Sequence, residues 1–551
     1  MTTGANEGIL PYGSSENGLL TDKELEILED LKVSISKRKD ISRQEEQLAI
    51  YRNLSLPTDI LYVSYSMADG DGRGASPSTL FTDLKEMFGI TPMSDIGRGD
   101  RMEMINSQKA TMSFMADAMR EYIDEDRIGR EWLLTMKWYE EHDKADIDRI
   151  MNGLGFSNEL ESLGEEMADA LYCGDADKML VSASRLERYS ECPFKHFIGQ
   201  GLRADEQRVF EIGPREIGDV YHECLMTFSQ RLTPGDMAVN DPASPWMTIT
   251  KEECGEEIRK IITGEVEGYR EGLFDSDAEG SFRARRMIEI CTEVAWALVN
   301  QIRRSSIKNM RFEEPFGYPG NSLPPIRVQL SEGKEALLRG RIDRVDVMDV
   351  HGQDAVSIVD YKSGKNVIES KDVRNGYKLQ LMVYMNAAKQ DMEPAGVFYF
   401  KIHDNVFTTA KNNEEAEADA SQKIRSAYSM EGITIGDEGL YEAFDSDFYK
   451  LASAGESSKS ETIPVNFVKT DQEYKATGGG ELLTEEEFKE LCEIAQEQVE
   501  RICREIYAGN IQIAPKRERK GSNTQTACDY CGYKSICMFD TRFDGCRYSE
   551  V

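Results

Sequence analysis

Two short segments, Gly-Arg-Ile-Asp-Arg-Val-Asp at Gly340–Asp346 and Asp-Tyr-Lys at Asp360–Lys362, decide the predicted fold. In each segment an acidic residue interrupts or ends an apolar run, which is typical of a strand that carries a functional carboxylate. Side chains two residues apart on a strand point to the same face, so Asp360 and Lys362 share one face. Antiparallel pairing through a short turn would bring Asp343 close to Asp360. The segments therefore predict two paired strands with a shared polar site.

The predicted site has the chemistry of phosphodiester hydrolysis. Such a reaction requires hard divalent cations beside the phosphate and a group that handles the attacking water. Asp343 and Asp360 offer oxygen ligands, and Lys362 lies beside them. His222 follows Gly218, which allows close backbone approach, on a helix predicted to carry the imidazole toward the cation. A lone helical histidine or a lone Asp-x-Lys triplet is more often an ordinary structural feature, so the hypothesis depends on their ordered combination.

Two further polar residues, Gln380 and Tyr384, are one helical turn apart in a predicted helix. They share a face that is placed to lie over the ends of the two strands. Asp346 and Asp349 are also acidic, but we expect both to be exposed strand residues. Gln380 and Tyr384 therefore extend the candidate site.

The order of predicted elements is that of an α/β nuclease core. A long helical segment is followed by three strands in a meander, one helix and one further strand. These elements are Lys251–Arg304, then Ile326–Leu330, Leu337–Met348 and Ala355–Tyr361, then Tyr377–Lys389 and Gly396–Ile402.

The pattern of residues also predicts how the chain is divided. Residues 91–175 are rich in helix formers and are predicted to be a helical connector between residues 1–90 and a site-bearing domain at 176–551. Residues 404–480 are polar and acidic, which favours an insertion with helices and loops. In the first part, the apolar run Ile60–Tyr65 predicts a buried strand.

The formal charge of −34 is the observation that argues most against a nucleic-acid partner. Acidic residues are concentrated in segments such as Asn412–Asp419, however, while Lys516, Arg517, Arg519 and Lys520 form a basic patch. We expect a local basic channel within an acidic envelope, or else a solvated basic loop. The sequence has no apolar run of about eighteen residues and no secretory pattern at its start, so we predict a cytoplasmic protein without a membrane segment.

An amphipathic helix predicted at Thr484–Ala508 leads to a group of cysteines. Cys528 and Cys531 form a CxxC knuckle that lets two thiolates bind one metal centre, and Cys537 follows. The fourth ligand is either Cys192, which would tie together distant parts of the domain, or Cys546, which would complete a local site. The other six cysteines are predicted to be core or surface thiols: Cys173, Cys224, Cys254, Cys291, Cys492 and Cys503.

The histidine, Gly-Arg-hydrophobic-Asp, Asp-Tyr-Lys and Gln-x-x-x-Tyr elements occur in the order that resembles the RecB-type branch of the PD-(D/E)XK nucleases. The resemblance implies a restriction-endonuclease-like core that binds Mg²⁺ or Mn²⁺. It implies that Lys362 positions or activates the water and that Gln380, with Tyr384, supports the site. The implied metal-binding groups are His222, Asp343, Asp360 and the carbonyl of Tyr361.

The spacing of one remote cysteine, a CxxC knuckle and a third cysteine resembles the iron–sulfur nuclease domains found in the B subunits of helicase/deoxyribonucleases. This resemblance implies a [4Fe–4S] cluster held by Cys192, Cys528, Cys531 and Cys537. The alternative is a local zinc knuckle in which Cys546 replaces Cys192.

Segments Gly4–Pro11, Gly18–Asp22 and Arg43–Tyr65 resemble the last part of a UvrD-like helicase domain, so residues 1–90 are predicted to be a partial helicase-like domain. Asn53–Pro57 does not supply the arginine that contacts nucleotide in active helicases, and the sequence contains no G-x-x-x-x-G-K-[ST] phosphate loop. We therefore expect no ATPase activity from this chain, which we also expect to lack the family's N-terminal half.

Two classes of function follow from these observations. The family resemblance implies an exonuclease that cuts single-stranded DNA on the strand ending 5′. It also implies a heterodimer with a helicase–nuclease A subunit in double-strand break resection and recombination. The alternatives are a scaffold that binds DNA ends or a partner without catalysis, and a stand-alone iron–sulfur nuclease.

Overall fold

In the computed structural model, the chain divides into two units, Met1–Gly155 and Phe156–Val551. The structure describes residues 4–11, 21–33, 39–68, 74–91, 101–155, 157–174, 177–204, 212–233, 235, 237–267, 269, 274, 278–320, 323–364, 366–404, 427–520, 523–541, 543 and 545–550. Each unit has its own hydrophobic core. The junction at Gly155 falls within the segment 91–175 that was predicted to be a connector.

The described part of the first unit is helical. Met115, Trp132, Tyr139 and Ile147 are buried at the centre of its core. The helices are α1 (Asp22–Asp30), α2 (Lys39–Ser55), α3 (Thr79–Phe88), α4 (Gln108–Glu125), α5 (Arg130–His142) and α6 (Lys144–Leu154), with a 3₁₀ turn at Arg101–Met104.

The prediction of a buried strand at Ile60–Tyr65 is wrong. The segment is mostly outside regular structure, and the side chains of Ile60 and Tyr62 are 66% and 62% exposed. Ala5 donates its backbone N–H to the Ser64 carbonyl. Among the described residues this backbone contact leaves Ile60 and Tyr62 exposed, whereas Leu61, Val63 and Tyr65 are half-buried, so the hydrophobic sequence does not form a buried strand. The part of the opening helicase-like match at Gly18–Leu20 lies outside the described residues.

In its described residues, the second unit combines helices with four sheets. Its described helices are α7 (Gly164–Tyr172), α8 (Ala183–Glu191), α9 (Pro193–His196), α10 (Pro214–Leu232), α11 (Pro245–Thr248), α12 (Lys251–Val266), α13 (Ala278–Arg304), α14 (Ser370–Arg374), α15 (Gln380–Ala388), α16 (Glu438–Phe444), α17 (Ser446–Ser453), α18 (Glu485–Tyr507) and α19 (Lys534–Cys537), with a π-helical turn at Phe197–Gly201. Its strands are β1 (Lys178–Val181), β2 (Ile307–Phe316), β3 (Ile326–Ser331), β4 (Lys334–Leu338), β5 (Gly340–Val350), β6 (Gln353–Lys362), β7 (Glu393–Lys401), β8 (Glu431–Ile435), β9 (Ser458–Lys459), β10 (Val465–Val468), β11 (Glu473–Ala476), β12 (Gly480–Leu483), β13 (Lys516–Lys520), β14 (Asn523–Thr526) and β15 (Ser549–Glu550).

A six-stranded mixed sheet with the order β12-β8-β7-β6-β5-β2 lies at the centre of this unit. Strands β5 and β6 pair antiparallel, as predicted, with Arg344 opposite Val359 and Val350 opposite Gln353. His351 and Gly352 form the turn, and both have positive φ angles, 54° and 83°. Left-handed conformations at both turn residues match the twist of the two strands, so this turn fixes their register.

Strand β7 pairs parallel with β6, and helices α14 and α15 lie in the connection between them. A parallel pair requires such a crossover, which returns the chain to the same end of the sheet. The α15 helix, which packs on β6 and β7, therefore begins at Gln380 beside the end of β6.

The prediction of a three-stranded meander is wrong. Strands β3 and β4 pair with each other, and β4 pairs parallel with β1 in a separate sheet. The predicted single strand Leu337–Met348 breaks at Arg339, whose N–H donates to the Val181 carbonyl. A β-carbon at Gly340 would lie 2.8 Å from the Phe316 ring, so glycine permits the close packing at which β5 starts.

The central sheet also contains strand β2, which the sequence did not predict and which pairs with β5. Of the polar segment 404–480, residues 405–426, including Asn412–Asp419, lie outside the described residues. The remainder contributes β8 to the central sheet, two short helices and the small sheet β9–β11.

The predicted amphipathic helix is confirmed as α18, which begins after a Thr484–Glu487 capping box. Its buried stripe includes Phe488, Leu491, Val499 and Ile502. In the described parts of the chain, no helix is both long enough and apolar enough to cross a membrane.

Candidate active site

The β5–β6 hairpin brings the two predicted carboxylates together. Tyr361 donates its backbone N–H to Asp343 Oδ2 at 3.0 Å, so Asp343 lies beside the backbone of the Asp360–Lys362 segment. Asp360 is buried and Asp343 is half-buried. The antiparallel geometry expected from the sequence thus places one carboxylate from each strand at the same end of the sheet.

Asp360 is held by two side chains that the sequence motifs had already indicated. Lys362 Nζ lies 2.6 Å from Asp360 Oδ2, and Gln380 Nε2 donates to Asp360 Oδ1 at 2.9 Å. Gln380 Nε2 also donates a hydrogen bond to the Tyr384 hydroxyl at 3.1 Å. The four residues therefore form one connected polar group at the end of β6 and the start of α15.

Burial and the neighbouring charge of Asp343 raise the pKa of Asp360, although Lys362 opposes this shift. Burial alone would lower the pKa of Lys362, but its ion pair with Asp360 outweighs burial and the pKa is raised. The arrangement thus keeps the lysine charged, and its ammonium group offsets part of the effect by which burial and Asp343 disfavour the ionised form of Asp360.

His222 reaches this group from helix α10. Its Nε2 atom lies 3.0 Å from Asp343 Oδ2. Burial by itself lowers the pKa of His222. The hydrogen bond and the charge of Asp343 raise it by more than burial lowers it, so the pKa is raised on balance. A β-carbon at Gly218 would lie 3.3 Å from Ser363 Oγ, so the close backbone approach predicted for this glycine is present.

Two carboxylates near the site were missed from the sequence. Glu313, in β2, has its Oε1 atom 3.6 Å from His222 Nε2. Glu187, in α8, accepts the backbone N–H of Gln380 at 2.9 Å, and burial raises its pKa. Neither belongs to a recognisable motif, because the first lies on an unpredicted strand and the second is one acid among many on helices.

The donor atoms suit a hard divalent cation. His222, Glu313 and Asp343 each have one potential ligand atom within 4.8 Å of those of the other two. Carboxylate oxygens with one imidazole nitrogen are ligands that Mg²⁺ and Mn²⁺ accept, and thiolates do not contribute to the group. Asp360 lies beside it through the Tyr361–Asp343 contact, and Tyr361 itself occupies β6 between the aspartate and the lysine.

The prediction that Asp346 is an exposed strand residue is wrong. Asp346 and Arg344 form a buried ion pair with side chains that are 1% and 2% exposed. Because these residues alternate with Asp343 along β5, they point to the opposite face of the sheet, and that face is covered. A carboxylate on a covered face needs a partner, which Arg344 supplies. Asp349 is exposed, as predicted.

The cysteines predicted as ligands lie in one neighbourhood. Burial, with smaller contributions from the nearby thiols of Cys192, Cys531 and Cys537, raises the pKa of Cys528 to about 11. Burial likewise raises the pKa of Cys192, although its sulfur receives backbone N–H groups from Phe194, Lys195 and Ala514 that act in the opposite direction.

Cys546, the alternative fourth ligand, is also buried nearby. The Asn158 side-chain amide donates to Cys546 Sγ at 3.3 Å and to the Cys537 carbonyl at 2.8 Å. The six cysteines predicted as core or surface thiols are all buried.

The predicted basic patch lies on β13. Lys516 Nζ is 3.5 Å from the centre of the Tyr377 ring, and Arg517 contacts Glu550 and the Tyr548 ring. The side chains of Arg519 and Lys520 lie outside the described residues. Two of the four basic side chains are therefore engaged within the protein.

The fold and the site are those of a nuclease, and comparison with known proteins agrees with this class. Residues 180–538 match the PD-(D/E)XK nuclease superfamily, and the chain belongs to that family. The family match and the mixed central sheet with its helices confirm the predicted α/β nuclease core.

The whole chain is also similar to proteins described as the B subunit of ATP-dependent helicase/deoxyribonuclease, which confirms the resemblance predicted from the motifs. It is 31% identical over 561 residues to the protein of Alkaliphilus oremlandii and 32% identical over 563 residues to that of Alkaliphilus metalliredigens. The protein of Clostridium acetobutylicum is 29% identical over 564 residues. Each alignment covers 100% of this chain and 46% of the relative, so the chain spans about half the length of the curated relatives it matches.

Proposed function

We propose that this chain is a metal-dependent deoxyribonuclease that hydrolyses single-stranded DNA from an end, on the strand ending 5′. It acts in the cytoplasm with a helicase–nuclease A subunit, in double-strand break resection and recombination repair. The convergence of His222, Asp343, Asp360 and Lys362 at one end of the central sheet carries the proposal. The names of the similar proteins, each described as one subunit of a helicase/deoxyribonuclease, support the partner and the DNA substrate.

The proposed catalytic roles follow from the contacts. His222, Asp343, Asp360 and the carbonyl of Tyr361 hold Mg²⁺ or Mn²⁺, which when bound neutralises charge on the scissile phosphate. Lys362 stays charged through Asp360 and orients the attacking water with its ammonium group. Gln380 fixes the Asp360 carboxylate, and Tyr384 contacts the same amide, so the two hold the carboxylate in one orientation.

The four-cysteine centre is proposed to be a [4Fe–4S] cluster that joins two distant parts of the nuclease unit. The proximity of Cys528 to Cys192, Cys531 and Cys537, and of Cys192 to Cys531, supports this ligand set. Backbone N–H groups directed at the Cys192 sulfur suit a metal-bound thiolate, which accepts such hydrogen bonds. A zinc knuckle with Cys546 is the competing assignment, and metal analysis with the visible absorption spectrum of anaerobically purified protein separates the two.

Residues 1–90 are proposed to be part of a helicase-like domain and to hold no ATP site themselves, since residues 1–551 contain no phosphate loop. A helicase–nuclease A subunit is the proposed source of motor activity. Pull-down with this partner protein tests the partnership, and failure to bind it would favour a stand-alone nuclease.

Cleavage of end-labelled single-stranded DNA, with Mg²⁺, with Mn²⁺ and with chelator, tests the proposed activity. Asp360→Ala and Lys362→Ala should each lower the rate by several orders of magnitude. The first removes a ligand of the cation that neutralises the phosphate charge, and the second removes the group that orients the attacking water. Asp349→Asn is the matched control on the same hairpin, since Asp349 is exposed and an amide oxygen can still accept the Gly352 N–H.

Two outcomes of these experiments are decisive, and a variant of the labelling gives the polarity. Substantial metal-dependent cutting by Asp360→Ala protein would refute the site assignment. Tight DNA binding without any cleavage by the unaltered chain would favour the scaffold function, for which the charge of −34 is the motivating observation. Labelling the two ends separately reports the polarity of the cut strand.

A further inference from the structure

Glu313 has a backbone conformation that is unusual for its position. It lies inside strand β2, yet its φ angle is 50°, in the left-handed region. Residues with a β-carbon rarely adopt this region, because the β-carbon crowds the following carbonyl. Strained residues of this kind persist where the surrounding structure fixes them, and they are concentrated at functional sites.

The register of β2 places Glu313 against Asp343. Phe312 is opposite Arg344 and Glu314 is opposite Ile342, so Glu313 occupies the position across from Asp343. Two carboxylates directly opposite on neighbouring strands repel each other. Both side chains are also half-buried, which weakens the screening by water. A cation between them would remove the repulsion.

The polar atoms around Glu313 converge in a way that fits such a cation. The same imidazole atom, His222 Nε2, lies 3.0 Å from Asp343 Oδ2 and 3.6 Å from Glu313 Oε1. Ligands of an octahedral cation with bonds of about 2.1 Å are about 3 Å apart when adjacent and about 4.2 Å apart when opposite. The two separations, 3.0 and 3.6 Å, lie in or near this range, and all three ligand atoms are within 4.8 Å of one another.

Arg341 fixes the other end of the Glu313 carboxylate. Its guanidinium lies 3.3 Å from Glu313 Oε2, whereas Oε1 is the oxygen directed at His222. One oxygen thus contacts an exposed arginine and the other is directed at His222. This division is expected of a ligand whose orientation is set in advance.

We propose that Glu313 is a further ligand of the catalytic cation, which it shares with His222 and Asp343. The inference rests on the proposed metal-dependent nuclease function and adds a residue outside the motifs that predicted the site. It also explains why β2 keeps a strained glutamate at the edge of the sheet. If Glu313 only oriented the histidine ring by hydrogen bonding, it would not bind the cation directly.

Titration of the full 551-residue chain with Mn²⁺ alone, without DNA, tests this ligand role. Free Mn²⁺ is followed by electron paramagnetic resonance, or the heat of binding by calorimetry. Glu313→Gln should raise the Kd for Mn²⁺ by about tenfold or more, a loss typical of damage to a metal site. Glu314→Gln, the neighbouring acid on the same strand, is the control and should stay within about twofold of the unaltered protein.

Glu313→Gly provides a second readout that does not depend on the glutamine variant folding. Glycine adopts the left-handed region without steric cost, so this variant should melt at the same temperature as the unaltered protein or higher when no metal is present. It should also lose most of the rise in melting temperature that Mn²⁺ produces in the unaltered protein.

Loss of the Glu313 ligand role and absence of nuclease activity would give different results. If Asp343→Asn loses Mn²⁺ affinity while Glu313→Gln and Glu313→Gly retain it, Glu313 is not a ligand and the nuclease proposal stands. If the unaltered chain neither binds Mn²⁺ nor cuts DNA, the proposed function itself is wrong.

Discussion

The buried Arg344–Asp346 pair allows a quantitative prediction about the central sheet. Arg344 Nε donates to Asp346 Oδ1 at 2.7 Å and its Nη2 donates to Oδ2 at 2.6 Å. Asp346→Ala removes the acceptor and leaves a guanidinium charge among buried side chains. Breaking a buried pair in this way costs about 3–5 kcal/mol, because the remaining charge has lost both water and partner. A domain commonly has about 5–15 kcal/mol of total stability, so the loss is a large fraction of it.

Hydrogen exchange followed by mass spectrometry measures this loss in peptides from β5 and β6. These strands belong to the second unit, so the measurement is not averaged with the helical unit. The double variant Arg344→Met and Asp346→Leu is the control, since replacing both partners by apolar side chains of similar size is often neutral or stabilising. An Asp346→Ala protein whose β5 peptides exchange as slowly as those of the unaltered protein would show that the pair is not the buried charge pair described above.

Three further predictions concern stability and the absence of a motor. Burial and the charges of Arg185 and Arg188 lower the pKa of His196 to about 3, so the folded protein keeps this ring neutral. The unfolded chain takes up the proton below about pH 6.5, and stability should therefore fall between pH 6.5 and 3 by up to about 1.4 kcal/mol per pH unit. His196→Gln should reduce this slope in urea unfolding at pH 7 and pH 5, and an unchanged slope would contradict the assignment. Cys192→Ala should remove the brown absorbance and raise protease sensitivity, since losing the long loop closure costs on the order of 4 kcal/mol. Cys546→Ala should leave both properties nearly unchanged, and the opposite result would identify a local zinc knuckle. The isolated chain should not hydrolyse ATP with or without DNA, and turnover that survives removal of residues 1–69 would reveal an overlooked nucleotide site.

The sequence predicted the parts of the site that depend on local spacing. The Asp-x-Lys triplet fixes two side chains on one face, and a two-residue turn brings β5 and β6 together. The Gln380–Tyr384 spacing similarly fixed two groups on one helix face. In each case the inference needed only the geometry of one strand, hairpin or helix.

The parts that were missed depend on long-range packing. Strand β2 has buried residues at Ile307, Met310 and Phe316, which do not alternate in the way that predicts a strand. Glu313 was therefore not placed near the site. Asp346 was predicted to be exposed because the sequence does not show that the second face of β5 is covered. The breaking of one predicted strand at Arg339 likewise depends on a contact with β1, far away in the sequence.

The wide spacing of the site along the chain has a consequence for how the protein is made. His222 lies on α10, Asp360 lies near the end of β6, and Gln380 begins the second helix of the crossover from β6 to β7. A ribosome that adds about 5–20 residues per second needs on the order of 10–30 s to go from His222 to Tyr384. During that interval the emerging histidine has neither Asp360 nor its supporting glutamine. A nascent chain should thus remain unable to cut nucleic acid until the sixth strand and the helix that follows it have left the exit tunnel.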